Sequence, residues 1–201
     1  MGNNTIKYPA IPPQILDGNN SLIDTKGNTI ARLSDFWSWA YSDLLGNTER
    51  GDLAEYIVAC ALGIQNKERI PWNKYDSVSP EGITIEIKTS GYLQTWGQKK
   101  LSLLNFGIRP TKAWDRMTND FDTQKRRQAD IYIFCVHKHK DQNTVNSLDI
   151  NQWDFYILPS KILDEKVGNQ KSISLTSLLK IGAKPCSYDN LHKKIIELSN
   201  E

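Results

Sequence analysis

Residues 82–98, GITIEIKTSGYLQTWGQ, decide how the rest of the chain is read. Ile83, Ile85 and Ile87 alternate with Thr84, Glu86 and Lys88, a period of two that predicts a strand. Successive side chains on a strand point to opposite faces, so the isoleucines share a core-facing side and Glu86 and Lys88 share the other. A carboxylate and an ammonium then stand side by side, either at the edge of a cleft or as an ordinary surface ion pair.

Two acids upstream favour the cleft. Asp76 lies ten residues before Glu86, and the intervening Ser79-Pro80-Glu81-Gly82 reads as a tight turn. Residues 72–78 and 83–88 then make two antiparallel strands of a hairpin that carries Asp76 toward Glu86. Glu55 lies further back, in a helix. An acid, a second acid ten residues on, one residue and a lysine form the arrangement D…ExK. Converging carboxylates bind a hard cation, Mg²⁺ or Mn²⁺, through oxygen. Such a cation acidifies water and stabilises charge on a phosphate. A lysine beside it orients the attacking water or steadies the developing negative charge. The chemistry these residue types suit is phosphodiester hydrolysis.

The remainder of the chain reads outward from this stretch. The first 30 residues are rich in Asn, Pro and Gly, with a small hairpin around Lys26-Gly27-Asn28. Ser34 is read as the N-cap of a helix that stops at Gly46, with an apolar stripe of Phe36, Trp37, Ala40, Tyr41, Leu44 and Leu45. A second helix covers 48–62 and carries Glu55. Gln94 and Gln98 are four apart and would share a helix face, with Lys99 and Lys100 following. Residues 105–128 are polar and aperiodic and concentrate Arg109, Lys112, Arg116, Lys125, Arg126 and Arg127 around Trp114 and Phe121. They read as a track for a phosphate backbone or as a solvated loop. Residues 130–136, DIYIFCV, form a near-continuous apolar run, the mark of a central strand covered on both faces. Residues 153–158 predict a further strand, 171–175 a short one, 175–181 a helical turn and 189–198 a closing helix. The order implies a mixed sheet with helices on both faces.

Bulk properties narrow the classes. The chain has 201 residues, 39% of them apolar, and a net charge of +2. That suffices for one domain and core, and neither demands nor excludes nucleic acid. No apolar run is long enough to span a membrane, and MGNNTIKYPAIPPQ lacks the apolar core of a signal peptide. Cys60, Cys135 and Cys186 have no metal spacing. The expectation is a cytoplasmic protein.

Glu55 in GDLAEYIVACALG, Asp76 in KYDSV and Glu86-Ile87-Lys88 in IEIKTSGYLQTW resemble the PD-(D/E)XK, or restriction-endonuclease-like, nuclease superfamily, over residues 48–136. Tyr75 stands where the family carries proline. The resemblance implies an α/β/α sandwich around a central mixed β-sheet, with residues 1–33 as an N-terminal arm on a single nuclease-like domain, 34–201. It implies a Mg²⁺-dependent (or Mn²⁺-dependent) DNA endonuclease, a restriction-type enzyme among the forms this takes. Asp76, Glu86 and the backbone carbonyl of Ile87 would ligate the ion, Glu55 would hold a metal-bound water or a second ion, and Lys88 would serve the water or the transition state. Gln94 or Gln98 would position the phosphate, with Lys99, Lys100, Arg116, Arg126 and Arg127 on the nucleic acid. RNA stays open beside DNA, as does a homodimer. The alternative from another class is a non-catalytic nucleic-acid-binding or scaffold protein on the same fold.

Overall fold

The computed structural model describes residues 6–200; the first five residues of the expected N-terminal arm lie outside them, as does Glu201. The elements run β1 (Ser21–Ile23), β2 (Thr29–Arg32), α1 (Leu33–Tyr41), α2 (Asn47–Ala61), β3 (Ser77–Val78), β4 (Thr84–Gly91), β5 (Asn105–Gly107), β6 (Trp114–Asp115), β7 (Asp120–Phe121), β8 (Ile131–His137), β9 (Trp153–Pro159), α3 (Ser160–Val167), β10 (Ser172–Ser174), α4 (Leu175–Lys180), β11 (Lys184–Cys186) and α5 (Leu191–Ser199). The main sheet has five strands in the order β11-β9-β8-β4-β3. Its β4–β8 pair is parallel and the other pairs are antiparallel, so the sheet is mixed.

The isoleucine alternation in β4 works as the period requires. Ile85 and Ile87 are buried with Ile131, Ile133 and Cys135 of β8, under the Ala54, Ile57 and Val58 face of α2 and the Leu191, Ile195 and Leu198 face of α5. The opposite face of the sheet packs Tyr132, Phe134, Val136 and Leu158 against Phe106 of β5, Ile173 of β10, Leu163 of α3 and Leu178 of α4. Every residue of β8 is buried, because both faces are covered. Helices therefore lie on both faces, with the small β5–β10 ribbon filling part of the second.

The hairpin is real but short. Gly82, at φ +88°, closes the turn by donating its N–H to the Ser79 carbonyl at 3.0 Å. That backbone suits glycine alone without strain. Pairing covers only Ser77 and Val78 against Ile85 and Thr84, not the whole of residues 72–78. Trp72 has φ +63°, which breaks an extended run.

Three local expectations need correction. The first helix starts at Leu33, not after Ser34, because the Asp35 carboxylate accepts the Arg32 N–H at 2.7 Å and caps the turn one residue earlier. It ends at Tyr41, and Gly46 caps the start of α2 instead. None of its residues is buried, and Trp39 is 84% exposed, so its apolar stripe does not meet the core. Residues 92–104 form no helix; Gln94 and Gln98 do not share a helical face.

Arg127 is the largest departure in the basic segment. Its side chain is fully buried. Nε donates to the Ile108 carbonyl at 3.0 Å, one terminal nitrogen donates to the Gly168 carbonyl at 2.8 Å, and the other pairs with Asp164. It is a clamp between the loop after β5 and the end of α3, too deeply buried to meet a phosphate. Arg126, next to it, is exposed and pairs only with Asp122 and Gln128. Arg127→Ala strands buried acceptors and is expected to cost roughly 2–4 kcal/mol. Arg126→Ala should stay within about 0.5 kcal/mol of the wild type. Urea unfolding of the two variants checks this, and equal destabilisation by both would refute the clamp.

Candidate active site

The site lies at the β3 edge of β4, where the short pairing runs out. The Asp76 N–H donates to the Ile85 carbonyl at 3.0 Å. Beyond that the backbone leaves the ladder, and the Asp76 carboxylate itself accepts the Ile87 N–H at 2.6 Å. The N–H and C=O of one strand residue point to the same side, so the Ile87 carbonyl faces the same edge as the Asp76 carboxylate. Lys88 Nζ lies 2.5 Å from Glu86 Oε1, both side chains partly buried. The Glu86–Lys88 pair lines a recess.

Electrostatics tie the group together. Burial, then the nearby negative charge of Glu86, pushes the Asp76 carboxyl up to about 6, against the opposing effects of Lys88, the Ile87 amide and Arg69. Burial alone would lower the Lys88 ammonium, but the carboxylates of Glu86, Asp76 and Glu55 outweigh it and hold it above the usual lysine range. Burial also raises Glu55, with the Asp76 charge adding to the rise and Arg69 opposing it. Asp76, Glu86, Lys88 and Glu55 are therefore mutual neighbours in charge, not four residues scattered over the surface.

Glu55, on α2, lines an adjoining hollow with Asp76 and Arg69 and is already engaged. Arg69 Nε donates to its Oε2 at 2.6 Å and a terminal nitrogen to its Oε1 at 2.9 Å, while the same guanidinium pairs with Asp52 at 2.8 Å. Both Glu55 oxygens accept from Arg69, so Glu55 enters the site as half of a salt bridge. Arg69 had no signature in the sequence, since no spacing rule links a loop arginine to acids on a helix. Tyr132 is also new to the site. It stands beside Glu86 in the parallel β4–β8 register and borders, with Lys74, Arg109 and Lys88, a recess of about 290 Å³.

The two glutamines serve the loop after β4. Gln94 Nε2 donates to the Gly91 carbonyl at 2.9 Å and its Oε1 accepts from Arg50 at 3.2 Å. Gln98 donates to the Tyr92 carbonyl at 3.1 Å and to Ser102 Oγ at 3.0 Å. Arg50 is buried, and a Cβ on Gly91 would come within 3.2 Å of its guanidinium, which explains the glycine there. Neither glutamine has its amide aimed at the carboxylates. Lys99 and Lys100 are exposed, and Arg116 donates to the Ile11 carbonyl at 2.7 Å. His137 is buried against Trp153, at 5.0 Å between rings.

Among the described residues, no group of three or more His, Cys, Asp or Glu side chains is gathered closely enough to hold a metal alone. The hard-oxygen set here is two carboxylates, Asp76 and Glu86, and one backbone carbonyl. That suits an ion that keeps several of its waters. The raised Asp76 carboxyl is the observation that fits a cation, because repulsion from Glu86 is what a bound positive charge would relieve.

Asp76 also sets a pH dependence of stability. Its folded value, about 6, exceeds its unfolded one, 3.8. Its contribution is therefore fully present below the unfolded value and is lost as pH rises through the folded one. Removing the ionisable group with Asp76→Asn should stabilise the metal-free protein at pH 7.5 by roughly 1–3 kcal/mol. The gain should shrink toward pH 4. Urea unfolding in EDTA at both pH values measures it, and a gap that widens on acidification would contradict the burial of this carboxylate beside Glu86.

Among the described residues no helix is long and apolar enough to cross a membrane. Of solved structures, a bacterial homing endonuclease aligns with 77% of this chain and 96% of its own, at 16% identity and a TM-score of 0.39. No curated protein matches the chain. The family described as bacteriophage T4 endonuclease IV matches residues 12–177. That span takes in Glu55, Asp76, Glu86 and Lys88 and four of the five main-sheet strands, and the chain belongs to the bacteriophage T4 endonuclease IV family.

Proposed function

We propose that this chain is a Mg²⁺-dependent (or Mn²⁺-dependent) DNA endonuclease that works through a PD-(D/E)XK site on a restriction-endonuclease-like α/β/α sandwich, residues 34–201, with residues 1–33 as an arm. The observation that carries the reading is the convergence of Asp76, Glu86 and Lys88 at the edge of β4, with Asp76 pushed up to about 6 by burial and by Glu86. The endonuclease family supports the reaction class.

Each residue has a part that its chemistry dictates. Asp76, Glu86 and the Ile87 carbonyl supply the hard oxygens for the ion. A bound divalent cation supplies charge to neutralise the phosphate and to acidify water. Lys88, held in its ammonium form by the surrounding carboxylates, cannot take a proton from water at neutral pH. It acts instead as a donor toward negative charge developing on the phosphate. Arg69 fixes Glu55 beside the cleft and keeps the local charge from becoming too negative to admit a phosphate. Lys99, Lys100, Arg116 and Arg126 remain exposed or partly exposed and suit contacts to the DNA backbone, a role from which the burial of Arg127 removes it.

The test is cleavage of plasmid and oligonucleotides in Mg²⁺, Mn²⁺ or EDTA. Lys88→Ala should lose about 10²- to 10³-fold in rate, the usual cost of one donor aimed at developing charge, while Mn²⁺ binding by calorimetry and DNA binding stay near wild type. Asp76→Ala should lose both cleavage and Mn²⁺ binding. Mn²⁺ binding should weaken as pH drops below about 6, where Asp76 in the metal-free protein takes up a proton that competes with the ion. A wild type that binds DNA yet cuts none under either cation would sink the enzyme and leave a binding protein.

A further inference from the structure

The carboxylates do not sit alone at this edge. A cavity of about 650 Å³ opens between the loop before β3 and the β6–β7 hairpin. Three aromatic rings border it: Trp72, Trp114 and Phe121. Trp72 is 87% exposed and Phe121 66% exposed, so neither ring is spent on the core. Trp72 is also held at φ +63°, a backbone that a bulky residue rarely adopts.

Its charge is one-sided. Lys74, Arg109 and Lys112 line the cavity, and no acidic side chain does. None of these three cations has a side-chain hydrogen bond or ion pair among the described residues. Asn73 adds an amide whose Nδ2 makes no bond among the described residues, while its Oδ1 accepts the Lys74 N–H at 2.8 Å. Uncompensated cations beside open aromatic faces suit a planar, apolar-faced group joined to phosphates, which describes a nucleotide. They suit an acidic peptide less well, since it would leave the rings uncovered.

The position relates this cavity to the chemistry. Lys74, Arg109, Thr111 and Gln128 line it and also line the recess that holds Glu86 and Lys88. The two hollows therefore share one wall, and that wall is cationic. A strand that crosses this wall meets the rings on one side and Lys88 on the other.

We propose that this cavity is a nucleobase subsite, which takes one base turned out of its stack beside the phosphate held at Glu86 and Lys88. The proposal rests on the endonuclease reading for the location of that phosphate. Trp72 and Phe121 stack on the base, Lys74 and Arg109 hold its flanking phosphates, and the Asn73 amide donates to an acceptor on the base edge. Trp114, whose Nε1 donates to Asn119 at 3.2 Å, is braced by its own hairpin and forms the fixed floor.

The experiment compares binding of an oligonucleotide carrying a central 2-aminopurine with the same oligonucleotide carrying an abasic site there. It is run in EDTA on the full chain, once single-stranded and once as a duplex with that position bulged. The wild type should prefer the base-bearing strand by about 5- to 150-fold, the range for one stacked base, and should quench its fluorescence. In Trp72→Ala/Phe121→Ala the preference should fall to near one, while affinity for the abasic strand is kept through the unchanged cations. Trp72→Phe, which retains a ring, should keep most of the preference. Preference in the bulged duplex as well as the single strand would identify a base extruded from a helix; preference in the single strand alone would identify an unpaired strand as the source. Equal wild-type binding of both strands in both forms overturns the subsite. So does a preference that survives in the double variant, or one lost in Trp72→Phe. Cleavage is scored separately in Mg²⁺ and Mn²⁺. A base preference without cleavage overturns the enzyme and keeps the subsite, and cleavage without a base preference does the reverse.

Discussion

Everything at this site depends on one hydrogen bond that a side chain makes in place of the backbone. The β3–β4 ladder stops after two pairs, and the Asp76 carboxylate takes over the Ile87 amide that a longer strand would have paired. If β3 continued, the Ile87 edge would be filled with peptide groups and no carboxylate could lie against it. The brevity of β3 is therefore what makes room for the carboxylate. It leaves an open edge on a strand whose opposite neighbour, β8, is wholly buried and cannot shift. A charged group mounted on such an edge has little freedom to relax, so Asp76 and Glu86 cannot move apart to relieve their repulsion.

That rigidity explains the pattern of charge around it. Lys88 on the same strand and Arg69 on the preceding loop each meet an acid, and Arg69 meets two. The balance remains incomplete at Asp76, whose pairing is with an amide and not with a cation. A buried carboxylate that folding leaves without a counter-charge costs stability, and a protein keeps such a group where something else uses it.

What the sequence revealed and what it hid divide along the range of the interactions. The period-two alternation of Ile83, Ile85 and Ile87, the glycine of the Ser79–Gly82 turn and the apolar run of β8 are local or follow from burial alone, and the hairpin and central strand were legible from them. Asp76 and Glu86 converge because that hairpin forms. The stripe on α1 failed for a tertiary reason: the helix follows directly on the exposed β1–β2 hairpin, so a correct amphipathic pattern has no sheet to face. Gln94 and Gln98 are four apart, but Arg50 reaches up from α2 and draws Gln94 into a loop, an interaction between residues 44 apart that no spacing announces. Arg126 and Arg127 are identical in type and adjacent, yet one is solvated and the other buried, because consecutive side chains entering β8 point in different directions. Composition marked that segment as basic and could not say which arginine faced out.

The exposed rings at the cavity carry the same lesson in reverse. In a chain that buries Phe134, Phe155 and Ile133 almost completely, there is core enough to have absorbed Trp72 and Phe121. Instead a short β6–β7 ribbon, paired over only two residue positions and packed in neither apolar core, projects Phe121 toward Trp72. A two-stranded ribbon of that length gains little from its own pairing, so its arrangement is not explained by stability. Lys74, Arg109 and Lys112 around it are equally unspent, since among the described residues none has a side-chain partner. These rings and charges, which folding does not use, stand on a wall shared with the recess that holds Glu86 and Lys88. The early end of one short strand shapes both hollows, because it opens the carboxylate edge and releases the loop that carries Trp72, Asn73 and Lys74.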